Sequence, residues 1–192
     1  MQGLTAIEWP VWRAMNHGWT HPVLDSIMIH ATSNDTWIVV GIALSLIASI
    51  YSRTRTTVIV LMLIVVALGI TDAVCFYALK PIFHRLRPCY EWSNVVRLVV
   101  ARCGSDYGFP SNHAANSGAI VAVLFGVTRN RLVLVVGVPV ALLVAYSRVY
   151  VGVHYPLDAI GGMIVGMAIA WGVVTTGDLL KGWRKEQKDI EA

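Results

Sequence analysis

Charge is what this chain has least of. Only 14% of its 192 residues are Asp, Glu, Lys or Arg, while 56% are hydrophobic. A soluble domain carries about 25% charged residues. The deficit, with a mean hydropathy of +0.64, argues against a soluble core and for a membrane protein. No secretory signal peptide is expected either. The first twenty residues contain Glu8, Pro10, Arg13, Asn16 and His17 and no continuous apolar stretch. The histidines at 17, 21, 30 and 84 lack metal-ligand spacing, so no metal site is expected from them. The net charge of +4 does not indicate a nucleic-acid partner, because the basic residues sit in short loops between apolar segments and at the C-terminus.

Apolar runs fill the rest. Thr36 to Ser52, Thr56 to Leu79, Ser111 to Thr128, Leu132 to Tyr146 and Leu157 to Gly177 read as five spans. The second holds the single charge Asp72, and the fourth holds Pro139, which is expected to kink or loosen it. Trp9 to Asn16 has aromatics and aliphatics on one side and reads as an interfacial helix. Pro22 to Thr32 is either a second interfacial helix or the opening turns of a bent first span, and Asp25 and His30 argue against a sixth crossing. The expected fold is all-α: one domain over residues 1–192, a polytopic membrane bundle of five transmembrane helices with N-terminal interfacial helices in residues 1–33. Arg53, Arg55, Arg129, Arg131, Lys181, Arg184, Lys185 and Lys188 then share one side, which the positive-inside rule makes cytoplasmic. Lys80, Arg85, Arg87, Arg97, Arg102 and Arg148 lie opposite.

Ionisable side chains beside hydrocarbon are costly, so those that persist mark function. Three polar clusters fall at span ends, all on the extracytoplasmic face. They are Lys80 with Arg87-Pro88, then Pro110-Ser111-Asn112-His113, then Ser147-Arg148 with His154 and Asp158. Pro156 suits the first turn of a helix, which puts His154 just before the fifth span and Asp158 in its first turn. A carboxylate on Nδ1–H fixes the imidazole tautomer and leaves Nε2 to attack phosphorus, giving a phosphohistidine. The alternative is a structural His-Asp pair.

Ser111 is a candidate N-cap, and the free N–H groups after it form an anion site. His113 can protonate a leaving oxygen and then activate water, or it is an ordinary surface histidine. Lys80, Arg87 and Arg148 can neutralise phosphate oxygens. Each alone also suits lipid headgroups, the reading preferred for Arg85, Arg97 and Arg102. Gly108 permits a close approach to the helix. Asp72 either faces an aqueous interior or bonds Thr71 locally, and Gly162 with Gly166 is a small-xxx-small pattern expected to pack helices within the chain. Cys75 is expected to be inert packing. Cys89 and Cys103 share one extracytoplasmic loop and are either a disulfide or two free thiols.

Lys80-x6-Arg87-Pro88, Pro110-Ser111-x-His113 and Ser147-Arg148-x5-His154-x3-Asp158 resemble, in order and spacing, the three signature motifs of the type-2 phosphatidic acid phosphatase superfamily. This is the membrane branch of the group that also holds vanadium haloperoxidases and bacterial acid phosphatases. The resemblance implies a vanadium-haloperoxidase-like helical core and no required metal or cofactor. It implies His154 as nucleophile, Asp158 as its orienting partner and His113 as general acid. Lys80, Arg87, Ser111, Asn112, Arg148 and nearby backbone amides would hold the phosphate. Asn112 stands where the motif usually has glycine. Asparagine tolerates unusual backbone angles, so the cradle is expected to survive.

The function expected is hydrolysis of a lipid phosphate or diphosphate in the bacterial inner membrane, with the site facing the periplasm and a bilayer lipid as partner. Undecaprenyl diphosphate is the first choice, since its recycling needs an extracytoplasmic site and Leu24-Asp25-Ser26-Ile27-Met28 and the short loops look similar to that subgroup. Lipid A 1-phosphate and phosphatidylglycerophosphate are the alternatives. A lipid phosphotransferase, or a lipid-phosphate binder or transporter, is the rival reading. Intact His113, His154 and Asp158 argue against a binder, which needs cations but no nucleophile pair.

Overall fold

The computed structural model describes residues 2–39, 41 and 55–190. Most of the first expected span lies outside the described residues, as does Arg53. Helix α1 (Gln2–Arg13) runs on through a π-helical turn, Ala14–Gly18. Helix α2 (Pro22–Thr32) starts where Val23 N–H donates to the His21 side chain and stops at the extended Ser33, so this segment forms a helix of its own. Helix α3 (Arg55–Ala73) continues through a π-helical stretch, Val74–Leu79, into the short α4 (Lys80–Phe83). His84, left-handed at φ 46°, ends that run. After the single turn α5 (Pro88–Glu91) come α6 (Asn112–Thr128), α7 (Arg131–Tyr150) and α8 (Pro156–Ile190). Helix α7 extends through Pro139 and reaches Tyr150 rather than Tyr146, so Ser147 and Arg148 stand on its last turn.

Thr57–Phe83, Arg131–Tyr150 and Pro156–Gly177 are long and apolar enough to cross a membrane. The protein is an all-α membrane bundle. Its outer faces are apolar: Val58, Met62 and Val65 on α3 and Leu132, Val135 and Val136 on α7 are all exposed. Inside, α6 is the central element and packs on α3, α7 and α8. Its buried face is Ala114, Ala115, Gly118, Ala119, Val123 and Gly126. Lipid is as apolar as a side chain, so helices associate through close packing of small residues. A Cβ on Gly166 would sit 1.9 Å from the Ala115 carbonyl oxygen, and one on Gly162 would sit 2.4 Å from that of Ser111. The small-xxx-small pattern is therefore the α6–α8 seam.

The N-terminal helices do more than lie at an interface. Trp12 and Asn16 are fully buried and Glu8 nearly so, with Trp12 packed in one core with Ala114, Val149 and Tyr155. Asn16 Nδ2 donates to the carbonyls of Tyr150 (2.7 Å) and Arg97 (2.9 Å), and its Oδ1 accepts from Arg97 N–H (3.0 Å). Arg97, expected to meet headgroups, instead pairs with Asp25, which also accepts from Tyr150 Oη at 2.6 Å. The Arg97 hydrogen bond, then that of Tyr150, holds the Asp25 carboxyl below its ordinary range.

Candidate active site

The polar clusters gather at one end of the bundle because two loops pair there. Pro88 disfavours the helical region for the residue before it, and Arg87 is extended at φ −76°, ψ 154°. Arg87 N–H donates to the Asp106 carbonyl (3.1 Å) and Gly108 N–H to that of Arg85 (2.7 Å), so the two loops run as a short antiparallel pair. The two-residue period of an extended chain puts Arg85 and Arg87 on one face, and both reach the start of α8. Cys89 and Cys103 bracket this loop with Cα atoms 6.3 Å apart, a spacing that fits the disulfide reading.

At the start of α8, Asp158 is fully buried and His154 almost so. Asp158 Oδ2 faces His154 Nδ1 at 3.3 Å and accepts Tyr155 N–H at 3.0 Å. Its Oδ1 accepts Arg85 Nη1 at 2.9 Å. On the other side of the imidazole, Arg87 Nη1 lies 3.0 Å from His154 Nε2. Arginine can only donate, so Nε2 accepts and the ring proton is on Nδ1, directed at Asp158. Burial, then the charges of Arg87, Arg148 and Lys80, pushes His154 well below the ordinary imidazole range. The ring is neutral at pH 7 and its contact with Asp158 is a hydrogen bond rather than an ion pair. The geometry leaves a lone pair on Nε2 surrounded by cations.

Those cations lack counter-ions among the described residues. Lys80 and Arg87 are buried, yet among the described residues neither they nor Arg148 has a carboxylate within salt-bridge distance. Lys80 Nζ donates to the Pro110 carbonyl (2.8 Å), Arg87 Nη2 to Ser105 Oγ (3.3 Å), and Arg148 to Thr32. His113 also engages the Thr32 backbone. Ser111 occupies the N-cap position of α6 without capping it. Its N–H donates to the Asp158 carbonyl (3.0 Å), and its fully buried Oγ has no hydrogen-bond partner among the described residues. Asn112, expected among the phosphate ligands, turns its side chain to Asp72 Oδ1 (2.8 Å), which Asn116 also reaches (3.1 Å). What Asn112 offers an anion is its backbone N–H. Ser147 Oγ bonds back to the Val144 carbonyl (2.7 Å) and faces its own helix.

Gly108 sits where nothing larger fits. A Cβ there would lie 2.7 Å from Asp158 Oδ2, the oxygen that holds His154, and 3.3 Å from Arg87 Cγ. Gly108→Ala is expected to lower kcat for lipid phosphate release about 100-fold in folded protein, since small displacements of reacting groups cost that much. Steady-state assay of the purified variant checks this.

Arg85, Thr32, Ser105 and Tyr155 touch this site and were not expected there. Arg85, assigned to headgroups, is buried between Asp158 and Glu8. Its signal was available: in an extended segment, the residue two before Arg87 shares its face. Thr32, at the end of α2, had no such signal, because only the folded chain brings it to Arg148.

A PAP2 superfamily model matches residues 58–180, more than half of the chain. This chain belongs to the PAP2 superfamily. Among its PAP2 relatives, lipid A 4'-phosphatase of Porphyromonas gingivalis is 28% identical over 171 residues, covering 88% of this chain and 72% of that protein. Undecaprenyl-diphosphatase BcrC of Bacillus subtilis is 32% identical over 169 residues, covering 86% and 82%. The fold is shared with the crystal structure of a transmembrane PAP2 type phosphatidylglycerolphosphate phosphatase from Bacillus subtilis. The TM-score is 0.67 at 20% identity, over 93% of this chain and 87% of that one.

Proposed function

We propose that this PAP2 protein hydrolyses a phosphate or diphosphate group on a membrane lipid, at the extracytoplasmic face of a bacterial inner membrane, through a phosphohistidine on His154. The observation that carries this reading is the charge imbalance. Lys80, Arg87 and Arg148 converge on a neutral, buried imidazole with no carboxylate of their own among the described residues. A phosphate dianion supplies what they lack. Its oxygens would take Lys80, Arg87, Arg148, the orphaned Ser111 Oγ and the N–H groups at the start of α6.

The chemistry follows from the contacts. Arg87 leaves His154 Nε2 for a phosphate oxygen, which frees the lone pair. Nε2 attacks phosphorus while the bond from phosphorus to the leaving oxygen breaks (the bridging oxygen in a diphosphate), and His113, protonated once the bound dianion offsets the charges of Arg148 and Arg87, gives that oxygen a proton. Asp158 holds Nδ1–H and stabilises the positive charge that the ring gains. His113 then removes a proton from water as the water oxygen attacks phosphorus. The P–Nε2 bond breaks and inorganic phosphate leaves.

Undecaprenyl diphosphate is the preferred substrate, supported by the relative of that activity over most of both chains. Lipid A phosphate is the alternative, supported by a second relative. Phosphate release by purified protein in detergent containing EDTA, compared across undecaprenyl diphosphate, lipid A and phosphatidylglycerophosphate, tests both. Fastest release from undecaprenyl diphosphate, undiminished by EDTA, is expected. Fastest release from lipid A reassigns the substrate. Lipid product without free phosphate indicates transfer, and no reaction with any of the three overturns the hydrolase.

A further inference from the structure

Arg85 lies outside the residues that face the phosphate, yet it is built into the nucleophile's support. Its Nη1 donates to Asp158 Oδ1 at 2.9 Å and its Nη2 pairs with Glu8 Oε1. All three side chains are buried. The guanidinium lies over the Tyr155 ring, 4.5 Å from its centroid, and that ring is fixed by Tyr155 Oη donating to Glu91 (2.7 Å). The second Glu8 oxygen accepts Leu157 N–H (2.9 Å) in the first turn of α8, next to Asp158. Arg85 is thus held by α1, by Tyr155 and by the catalytic carboxylate itself.

We propose that Arg85, locked in place by Glu8 of α1, is the positioning residue for the His154 nucleophile, fixing the Asp158 carboxylate so that Oδ2 holds Nδ1–H and Nε2 faces phosphorus. The inference rests on the phosphohistidine reading above and extends it to the N-terminal helix. Of the three contacts on Asp158, the one to His154 is the longest, 3.3 Å against 3.0 Å for Tyr155 N–H and 2.9 Å for Arg85. The carboxylate plane is therefore set by Arg85 and the backbone, and the imidazole follows it. Arginine suits the task because its planar fork spans two carboxylates at once and stays charged. A lysine has one nitrogen for both. Without the cation, Glu8 and Asp158 become two buried carboxylates with nothing between them, a costly arrangement.

The test uses the full-length purified protein with the lipid it hydrolyses fastest, and inorganic phosphate as a competitive inhibitor that reports the cradle alone. Arg85→Met is expected to lower kcat about 100-fold, with KM and the phosphate inhibition constant within about twofold. Arg85→Lys keeps the charge and is expected to restore about tenfold of that loss. A purely structural role would move KM and phosphate inhibition together with kcat in the folded protein, and the lysine would not restore kcat selectively. Should Arg85→Met fail to fold, Arg85→Lys decides: kcat about tenfold below the unmutated protein at unchanged KM supports the proposal, and unchanged kcat overturns it. An active unmutated protein, an inactive His154→Ala and an Arg85→Met variant with full kcat would sink this inference alone. An inactive unmutated protein would sink it together with the functional reading.

Discussion

His154→Ala is expected to lower lipid phosphate release by about 10⁴-fold or more, the scale seen when a nucleophile is removed from a preorganised site. The loss should fall on kcat. Lys80, Arg87, Arg148 and Ser111 all remain, and inorganic phosphate should still compete for them. The fold should tolerate the change, because the side chain removed is a neutral imidazole packed among cations rather than a part of the α6–α8 seam. Single-turnover release and phosphate inhibition, measured on the same preparation, separate the two effects. A variant within tenfold of the unmutated rate would mean that another group, His113 or water itself, attacks phosphorus.

The second large effect lies away from the chemistry. Gly166→Val is expected to destabilise the bundle by about 3 kcal/mol, at the upper end of what overpacking costs. The first added carbon would stand 1.9 Å from the Ala115 carbonyl oxygen, and backbone cannot rotate out of the way as a side chain does. The helices must separate, and the Ser111 N–H bond to the Asp158 carbonyl crosses the same seam. Activity should therefore fall with stability. Gly172→Val on the same helix is the control: a Cβ there meets nothing within 4 Å, so stability should stay within about 0.5 kcal/mol. Thermal unfolding in detergent compares the pair, and equal midpoints would refute the seam.

What could be read in the sequence was local. His154, Pro156 and Asp158 lie within one helix start, and the α8 boundary at Pro156 follows from proline's place in a first turn. The four-residue spacing of Gly162 and Gly166 likewise fixed a packing face, though not its partner. The cations stood out as ionisable residues at span ends, and the motif resemblance then implied their roles. Arg85 escaped because a cation at a span end has an ordinary alternative in lipid headgroups, and its true partners are Glu8 and Asp158, far away in the chain. The inner face of α1 escaped for the same reason. Glu8, Trp12 and Asn16 read as part of an amphipathic surface until the bundle supplies Arg85, Tyr155 and Tyr150 to meet them. Ser111 shows a subtler limit. Its place as N-cap was legible, but only the structure shows that its hydroxyl makes no cap hydrogen bond and has no partner among the described residues.

The covalent intermediate is the most direct point of attack. Protein mixed with lipid carrying a radiolabelled phosphate would be quenched in alkali within the first turnover, where a phosphorus–nitrogen bond survives, and the labelled peptide identified by mass spectrometry. The expected result is a phosphoryl group on His154, lost on mild acid treatment and absent from His154→Ala. Label on His113, or continued turnover with no covalent label at any time, would contradict the assignment of His154 as the nucleophile.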